Sequence, residues 1–187
     1  MTQPAFKPQR YTLEEYLELE RHSDLRHEFL DGFIHAMSGS SRRHNDIVNN
    51  LTEALRPQAR AKKCSYQSEN IKLWVEAVRR MYYPDVVITC VESDNDPYVV
   101  YFPCFLLEVL SPSTDQTDRR EKFEAYTRLT SLQTYVLVHQ AQRLLEVYTR
   151  SGQGWMMATL SEGTLEVGCA GASVSLEQIY DRIELDG

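Results

Sequence analysis

The chain is predicted to fold as an α+β (mixed α/β) domain, a mixed sheet flanked by helices. Three observations predict this. Its 187 residues are 42% hydrophobic and 25% charged, a make-up that suits one globular domain with a sizeable core. Short runs of β-branched and aromatic residues recur between turn residues, and helical periodicity interrupts them in a few places. One run, FLLEVL at 105–110, is apolar at both parities except for a single Glu, as a strand covered on both faces would be.

The elements follow in order. Residues 1–10 hold two prolines and few apolar groups, so they are expected to form a loose arm ahead of a single domain over 11–187. Thr12 stands three residues before Glu15, a capping box that starts a helix over 13–20. HEFLDGFIHAMSG alternates around Asp31-Gly32, the signature of a hairpin with a DG turn. Ile47, Val48, Leu51, Ala54 and Leu55 recur at helical spacing, so 42–63 reads as a helix that Pro57 would break or kink. SYQSENIKLWVE reads as one strand with Ile71, Leu73 and Val75 on a face, and MYYPDVVIT as another. After FLLEVL, a connection over 111–114 leads to a helix over 117–129, on which Phe123, Tyr126 and Leu129 share a side. TYVLVHQ and RLLEVYTR form a strand pair, followed by strands GWMMATL and TLEV and a short helix over 176–180. Trp155, Met156 and Met157 are expected in the core or at a dimer surface.

Charge and cysteine content limit the function. With 20 Lys and Arg against 27 Asp and Glu, the net charge is −7. That argues against a protein built to coat nucleic acid, but not against an enzyme with a local basic groove. Arg42, Arg43, Arg56, Arg60, Lys62, Lys63, Arg79 and Arg80 are the residues from which such a groove could be drawn. The four cysteines, Cys64, Cys90, Cys104 and Cys169, include no CxxC pair, which argues against a zinc ribbon. Reduced thiols in an intracellular protein are the expectation. MTQPAFKPQRYT has no apolar core of a signal peptide, and no apolar run spans a membrane, so a soluble cytoplasmic protein is expected.

Glu108 is the most informative residue. A carboxylate in FLLEVL needs a cation or hydrogen-bond donors, because burying it alone is costly. Asp85 poses the same problem in YYPDVVIT, although an Asp closing a turn would account for it alone. Adjacent strands would set these two carboxylates side by side, with VESDNDPY as the excursion between them. Such a pair suits Mg²⁺ or Mn²⁺. Lys122, on the following helix, could point at the site, and Arg119 and Arg120 could contact phosphate. Equally, these cations could form a solvated face with Glu121 and Glu124.

YPDVV, LLEVLSPST and the D-x-x-x-K-x-x-x-Y pattern of Asp118, Lys122 and Tyr126 resemble the Uma-type restriction endonucleases of the PD-(D/E)XK nuclease superfamily. YTLEEYLELE, HEFLDGFIHAMSG and HNDIVNNL extend the likeness upstream, so it covers residues 11–139. The resemblance implies a restriction-endonuclease-like mixed sheet with Asp85 and Glu108 as metal ligands on neighbouring strands. It implies Lys122 as the catalytic lysine, because the position two after Glu108 is Leu110 here. It also implies the Val109 carbonyl as a further ligand and Glu28 as an additional acid. His44, at a helix start, is a candidate contact for phosphate or for bound water. The implied activity is Mg²⁺- or Mn²⁺-dependent hydrolysis of DNA by a homodimer. Two alternatives stand beside it. One is a nuclease-fold protein that binds DNA with weak or lost catalysis. The other is an oligomeric interaction module in which Glu108 and Lys122 are a metal-free ion pair.

Overall fold

The computed structural model describes residues 9–111, 117–152 and 154–185. The first eight residues of the expected arm, and 112–114 of the expected connection, lie outside them. Helix α1 (Leu13–His22) starts at Thr12, whose side chain accepts from the Glu15 amide while Glu15 returns the bond. Strands β1 (His27–Leu30) and β2 (Phe33–Ala36) form the expected hairpin. Its turn places Asp31 at φ 49° and Gly32 at φ 93°, which a DG pair tolerates best. Helix α2 (Arg42–Ala61) then runs through Pro57 unbroken. The bond that Pro57 cannot donate would go to Glu53, and both residues are exposed, so water can satisfy that carbonyl.

The next segment departs from expectation. SYQSENIKLWVE is two strands, β3 (Ser65–Ser68) and β4 (Lys72–Val75), which lie in different sheets. MYYPDVVIT divides likewise into β5 (Arg80–Tyr82) and β6 (Val86–Thr89). The chain thus crosses between sheets at Glu69, with φ 59°, and returns at Tyr83-Pro84-Asp85. After β7 (Val99–Val100) comes β8 (Phe105–Leu110), buried at every position. A π-helical turn, Thr117–Lys122, leads into α3 (Phe123–Tyr126). Strands β9 (Thr134–His139), β10 (Leu145–Ser151), β11 (Gly154–Leu160), β12 (Thr164–Val167) and β13 (Ala172–Ser175) follow, and then α4 (Leu176–Ile179).

The expected α+β architecture is present as two mixed sheets and a ribbon. The larger sheet has the order β11-β10-β9-β8-β6-β3, and the other β2-β1-β5-β4-β7. Strands β8 and β9 are parallel, and β8 and β6 antiparallel. Helix α2 covers one face of β6 and β8, burying Ile47, Leu51 and Leu55 with Ile88, Leu107 and Val109. Their other face packs Val87, Leu106 and Leu110 with Tyr82, Tyr126 and Tyr135. Strand β8 is therefore covered on both sides, as its composition predicts. Trp155 lies under the Arg150 guanidinium, 4.6 Å from its ring centre, while Met156 and Met157 are exposed on β11. No helix among the described residues is long and apolar enough to cross a membrane.

The cysteines correct an expectation. Cys64 is joined to Cys90, and Cys104 to Cys169, rather than all four being thiols. Linear spacing could not show this, because the partners stand 26 and 65 residues apart and only the strand arrangement brings them together.

Leu107→Ala is expected to destabilise the fold by about 2–5 kcal/mol, and Thr12→Ala by about 1 kcal/mol. Urea denaturation compares the two; equal losses would contradict the central place given to β8.

Candidate active site

The β6–β8 register builds the site. Val86 pairs with Leu107 and Val87 with Leu106. One step further, Asp85 falls opposite Glu108. Glu108 shares the parity of Leu106 and faces the tyrosine-lined side of the sheet, where Tyr126 meets it, whereas Asp85, just before β6, turns to His44 of α2 and the Val109 amide. Pro84 suits the position before them, since a proline at the start of a strand withholds no needed ladder amide.

Each carboxylate is held. Asp85 Oδ2 accepts from the Val109 amide at 2.7 Å and lies 3.0 Å from His44 Nε2. The Tyr126 hydroxyl donates to Glu108 Oε1 at 2.8 Å, and Lys122 Nζ lies 3.1 Å from Glu108 Oε2. Lys122 also lies 3.6 Å from Glu28 Oε1, a residue of β1. Glu108 is 3% exposed and Lys122 6%, so this is an internal ion pair and not a surface one. Burial, and then the Glu108 charge, push the Tyr126 phenol well above its ordinary pKa, which keeps it a donor. Burial works against protonation of His44, but the hydrogen bond and charge of Asp85 outweigh it and raise the His44 pKa.

These groups line an open cleft of about 660 Å³. Glu28, His44, Asp85, Glu108, Val109 and Lys122 all meet there. Arg119 and Arg120 do not join that group. The Arg119 guanidinium pairs with Glu146 and approaches His139 Nε2 at 3.3 Å, while Arg120 is exposed. Two further polar residues of the cleft were not singled out for the site from the sequence. Glu121 lines the cleft, 3.4 Å from Arg80 and accepting from the Tyr82 hydroxyl at 3.3 Å. Gln140 donates to the Leu110 carbonyl at 2.7 Å and accepts from Ser41 at 2.8 Å, which ties the loop before α2 to the end of β8. Glu121 had a weak signal in its position next to Lys122; Gln140 had none.

The donor set fits a hard divalent cation. Both hydrogen bonds of Asp85 converge on Oδ2, and Asp85, Glu108 and Glu28 offer carboxylate oxygens to the same cleft. An ion preferring oxygen and retaining several waters needs few protein ligands.

Residues 13–176 match the model of the Uma2 family, described as "Putative restriction endonuclease". The chain belongs to the Uma2 family. Two proteins of Synechocystis sp. are similar along most of their length. One, slr1290, is 31% identical over 170 residues, 89% of this chain and 90% of the relative. The other, sll1609, is 29% identical over 160 residues, 83% and 90% of the two. The fold matches the crystal structure of "a putative nuclease belonging to DUF820" from Anabaena variabilis with a TM-score of 0.69. That match spans 93% of this chain and 99% of the other at 16% identity, and so speaks for the fold alone. In this Uma2 chain the matched segment contains every residue of the cleft named above.

Beside the cleft, Glu146 titrates in a predictable direction. Desolvation opposes its ionisation, but hydrogen bonds from Arg119 and His139 outweigh it and hold the carboxyl below its ordinary pKa. A depressed carboxylate contributes stability that is full above its unfolded pKa, about 4.3, and is lost as pH falls through the lower folded value. Glu146→Gln is therefore expected to lower stability at neutral pH and to flatten its decline below about pH 4.3. Urea midpoints across the acid range check this; an unchanged slope would mean that the pair contributes nothing in solution.

Proposed function

We propose that this protein is a metal-dependent nuclease that hydrolyses phosphodiester bonds in DNA. The observation that carries the reading is the placement of Asp85 opposite Glu108 at one cleft, with Lys122 beside Glu108. Asp85 and Glu108 would hold Mg²⁺ or Mn²⁺, with the Val109 carbonyl as a further ligand and Glu28 as the additional acid. When bound, the ion supplies Lewis acidity to the phosphoryl group and acidifies attacking water.

The protein's own groups do the rest. The Val109 amide and His44 fix the orientation of Asp85, and Tyr126 fixes that of Glu108. Lys122 holds positive charge between Glu108 and Glu28, where negative charge develops on the phosphate during attack. Ser41 and His44, at the start of α2, line the same cleft, so the helix N-terminus and the adjoining Arg42 and Arg43 offer binding for the DNA backbone. Arg120, exposed two residues before Lys122, is a second candidate for phosphate contact, and Arg119 a third if it leaves Glu146. A homodimer belongs to the same proposal, supported by Met156 and Met157, 63% and 56% exposed on edge strand β11.

One observation favours a second reading. Leu110 stands where a lysine would be expected, and Lys122 is already paired with Glu108. A nuclease-fold protein that binds DNA without cutting it accommodates both facts.

The test is cleavage of plasmid, linear, single-stranded and branched DNA with Mg²⁺, Mn²⁺ or chelator. Metal-dependent cleavage is expected, falling by at least about a hundredfold in folded Glu108→Ala and Asp85→Asn, and by about tenfold or more in Lys122→Ala. DNA binding without cleavage in any metal would sustain the second reading. Cleavage that survives Glu108→Ala would remove the site assignment.

A further inference from the structure

The four cysteines lie far from the cleft's carboxylates, and the nuclease reading makes no use of them. They come from four separate places: Cys64 follows α2, Cys90 follows β6, Cys104 precedes β8, and Cys169 lies in the link between β12 and β13. Folding gathers them into one cluster. Besides the two bonded pairs, Cys90 Sγ lies 3.8 Å from Cys104 Sγ, across the pairs. Sulfurs of Cys90, Cys104 and Cys169 all lie within 4.8 Å of one another, and Cys64, bonded to Cys90, stands just outside that group and would have to close in once its bond is reduced. Among the described residues, this is the group of three or more His, Cys, Asp or Glu side chains whose ligand atoms converge so closely.

A tetrahedral thiolate site requires close approach of sulfurs across the two pairs. With zinc–sulfur bonds of about 2.3 Å, neighbouring sulfurs stand about 3.8 Å apart. The gap between Cys90 and Cys104 has that value. The setting also suits a bound ion. Cys64 and Cys104 are buried, 5% and 7% exposed, and form a dry floor, while Cys90 is open to solvent. Lys62 and Lys63 immediately precede Cys64, and the Lys62 side chain runs beside Gly171, in the loop that carries Cys169. Positive charge there offsets the two net negative charges of four thiolates around a divalent ion.

We propose that Cys64, Cys90, Cys104 and Cys169 form a structural four-thiolate site for zinc, filled when the cysteines are reduced. The disulfide and metal forms exclude each other. A dithiol reductant breaks each S–S bond, supplying two electrons and two protons and itself becoming a disulfide. Binding Zn²⁺ to the four resulting thiols then releases their four protons to solvent. No CxxC motif announces the site, because strand pairing, not a local knuckle, brings the ligands together. In the filled state the ion would tie the β12–β13 ribbon to the ends of β6 and β8, as the Cys104–Cys169 bond does in the oxidised state.

The test uses the full chain, reduced with a dithiol and then desalted without oxygen. Zinc content is read by elemental analysis, and Co²⁺ is titrated as a spectroscopic probe. The expected result is about one tightly held zinc per chain, displaced by a thiol-specific mercurial, and the visible absorption of tetrahedral cobalt thiolate. Glu108→Ala should leave both unchanged, which separates this site from the carboxylate cleft. Cys90→Ser and Cys169→Ser should each weaken zinc binding at least about tenfold, read on variants whose circular dichroism matches the parent. The reduced parent protein is the decisive sample, since it needs no variant to fold. If it takes up no zinc and gives no thiolate absorption with cobalt, the proposal is wrong and the cysteines are disulfide staples.

Discussion

The buried carboxylate of Glu108 constrains the rest of the structure. It is the polar side chain of a six-residue strand in which every position is buried. Removing a carboxylate from water costs several kcal/mol unless a counter-charge and donors replace the lost hydration. Lys122 and Tyr126 supply those, and they are four residues apart, so one face of a single helical segment delivers both. The segment after β8 must therefore return over the sheet at one angle and one rotation. Lys122 then reaches Glu28, which belongs to the other sheet. A single desolvated charge thus links β8, the α3 segment and β1, and its satisfaction brings three parts of the chain to one cleft.

The chain's crossings between sheets put Asp85 at that cleft. It leaves the larger sheet after β3 and re-enters at β6, and Asp85 is the residue just before re-entry. A ladder position inside either sheet would bury it among apolar neighbours. At the seam it has the Val109 amide on one side and open cleft on the other. Its carbonyl is also used, accepting from the Glu69 amide at 3.1 Å, so the two crossing points brace each other.

These crossings show what sequence pattern can and cannot convey. Alternation reports which face a residue occupies, and Ile71, Leu73 and Val75 do share one core cluster. It does not report which sheet the face belongs to, so β3 and β4 read as one strand. The break is marked by Glu69 at φ 59°, a conformation that Glu seldom signals. Pro57 misleads in the opposite direction, because its cost depends on whether the orphaned carbonyl can meet water. In the site, Asp85 and Glu108 were legible because each is a charge inside an apolar run. Glu121 and Gln140 were not, because ordinary polar residues acquire their roles from partners distant in the chain. Gln140 meets Ser41 across 99 positions. Arg119 shows the reverse case, a cation placed well in sequence whose guanidinium is engaged by Glu146.

The antiparallel pair of β6 and β8 carries two chemistries at its two ends. Asp85 and Glu108 stand opposite each other at one end, and Cys90 and Cys104 meet at the other, about 14–17 Å away by strand rise. Like charges placed directly opposite weaken a strand pair. At the carboxylate end, that repulsion is relieved by Lys122, His44 and the Val109 amide, all of which a divalent cation would supplement. At the cysteine end, the Cys64–Cys90 bond ties the end of β6 to the start of β3, and the Cys104–Cys169 bond ties the start of β8 to the β12–β13 ribbon, whatever occupies the cleft. Between them, Val86, Val87 and Ile88 pair with Leu107, Leu106 and Phe105 in a dry ladder. The arrangement keeps two acids at fixed spacing without requiring the acids themselves to hold the strands together. On the proposed function, the pair would take up or release a cation while its frame stays in register.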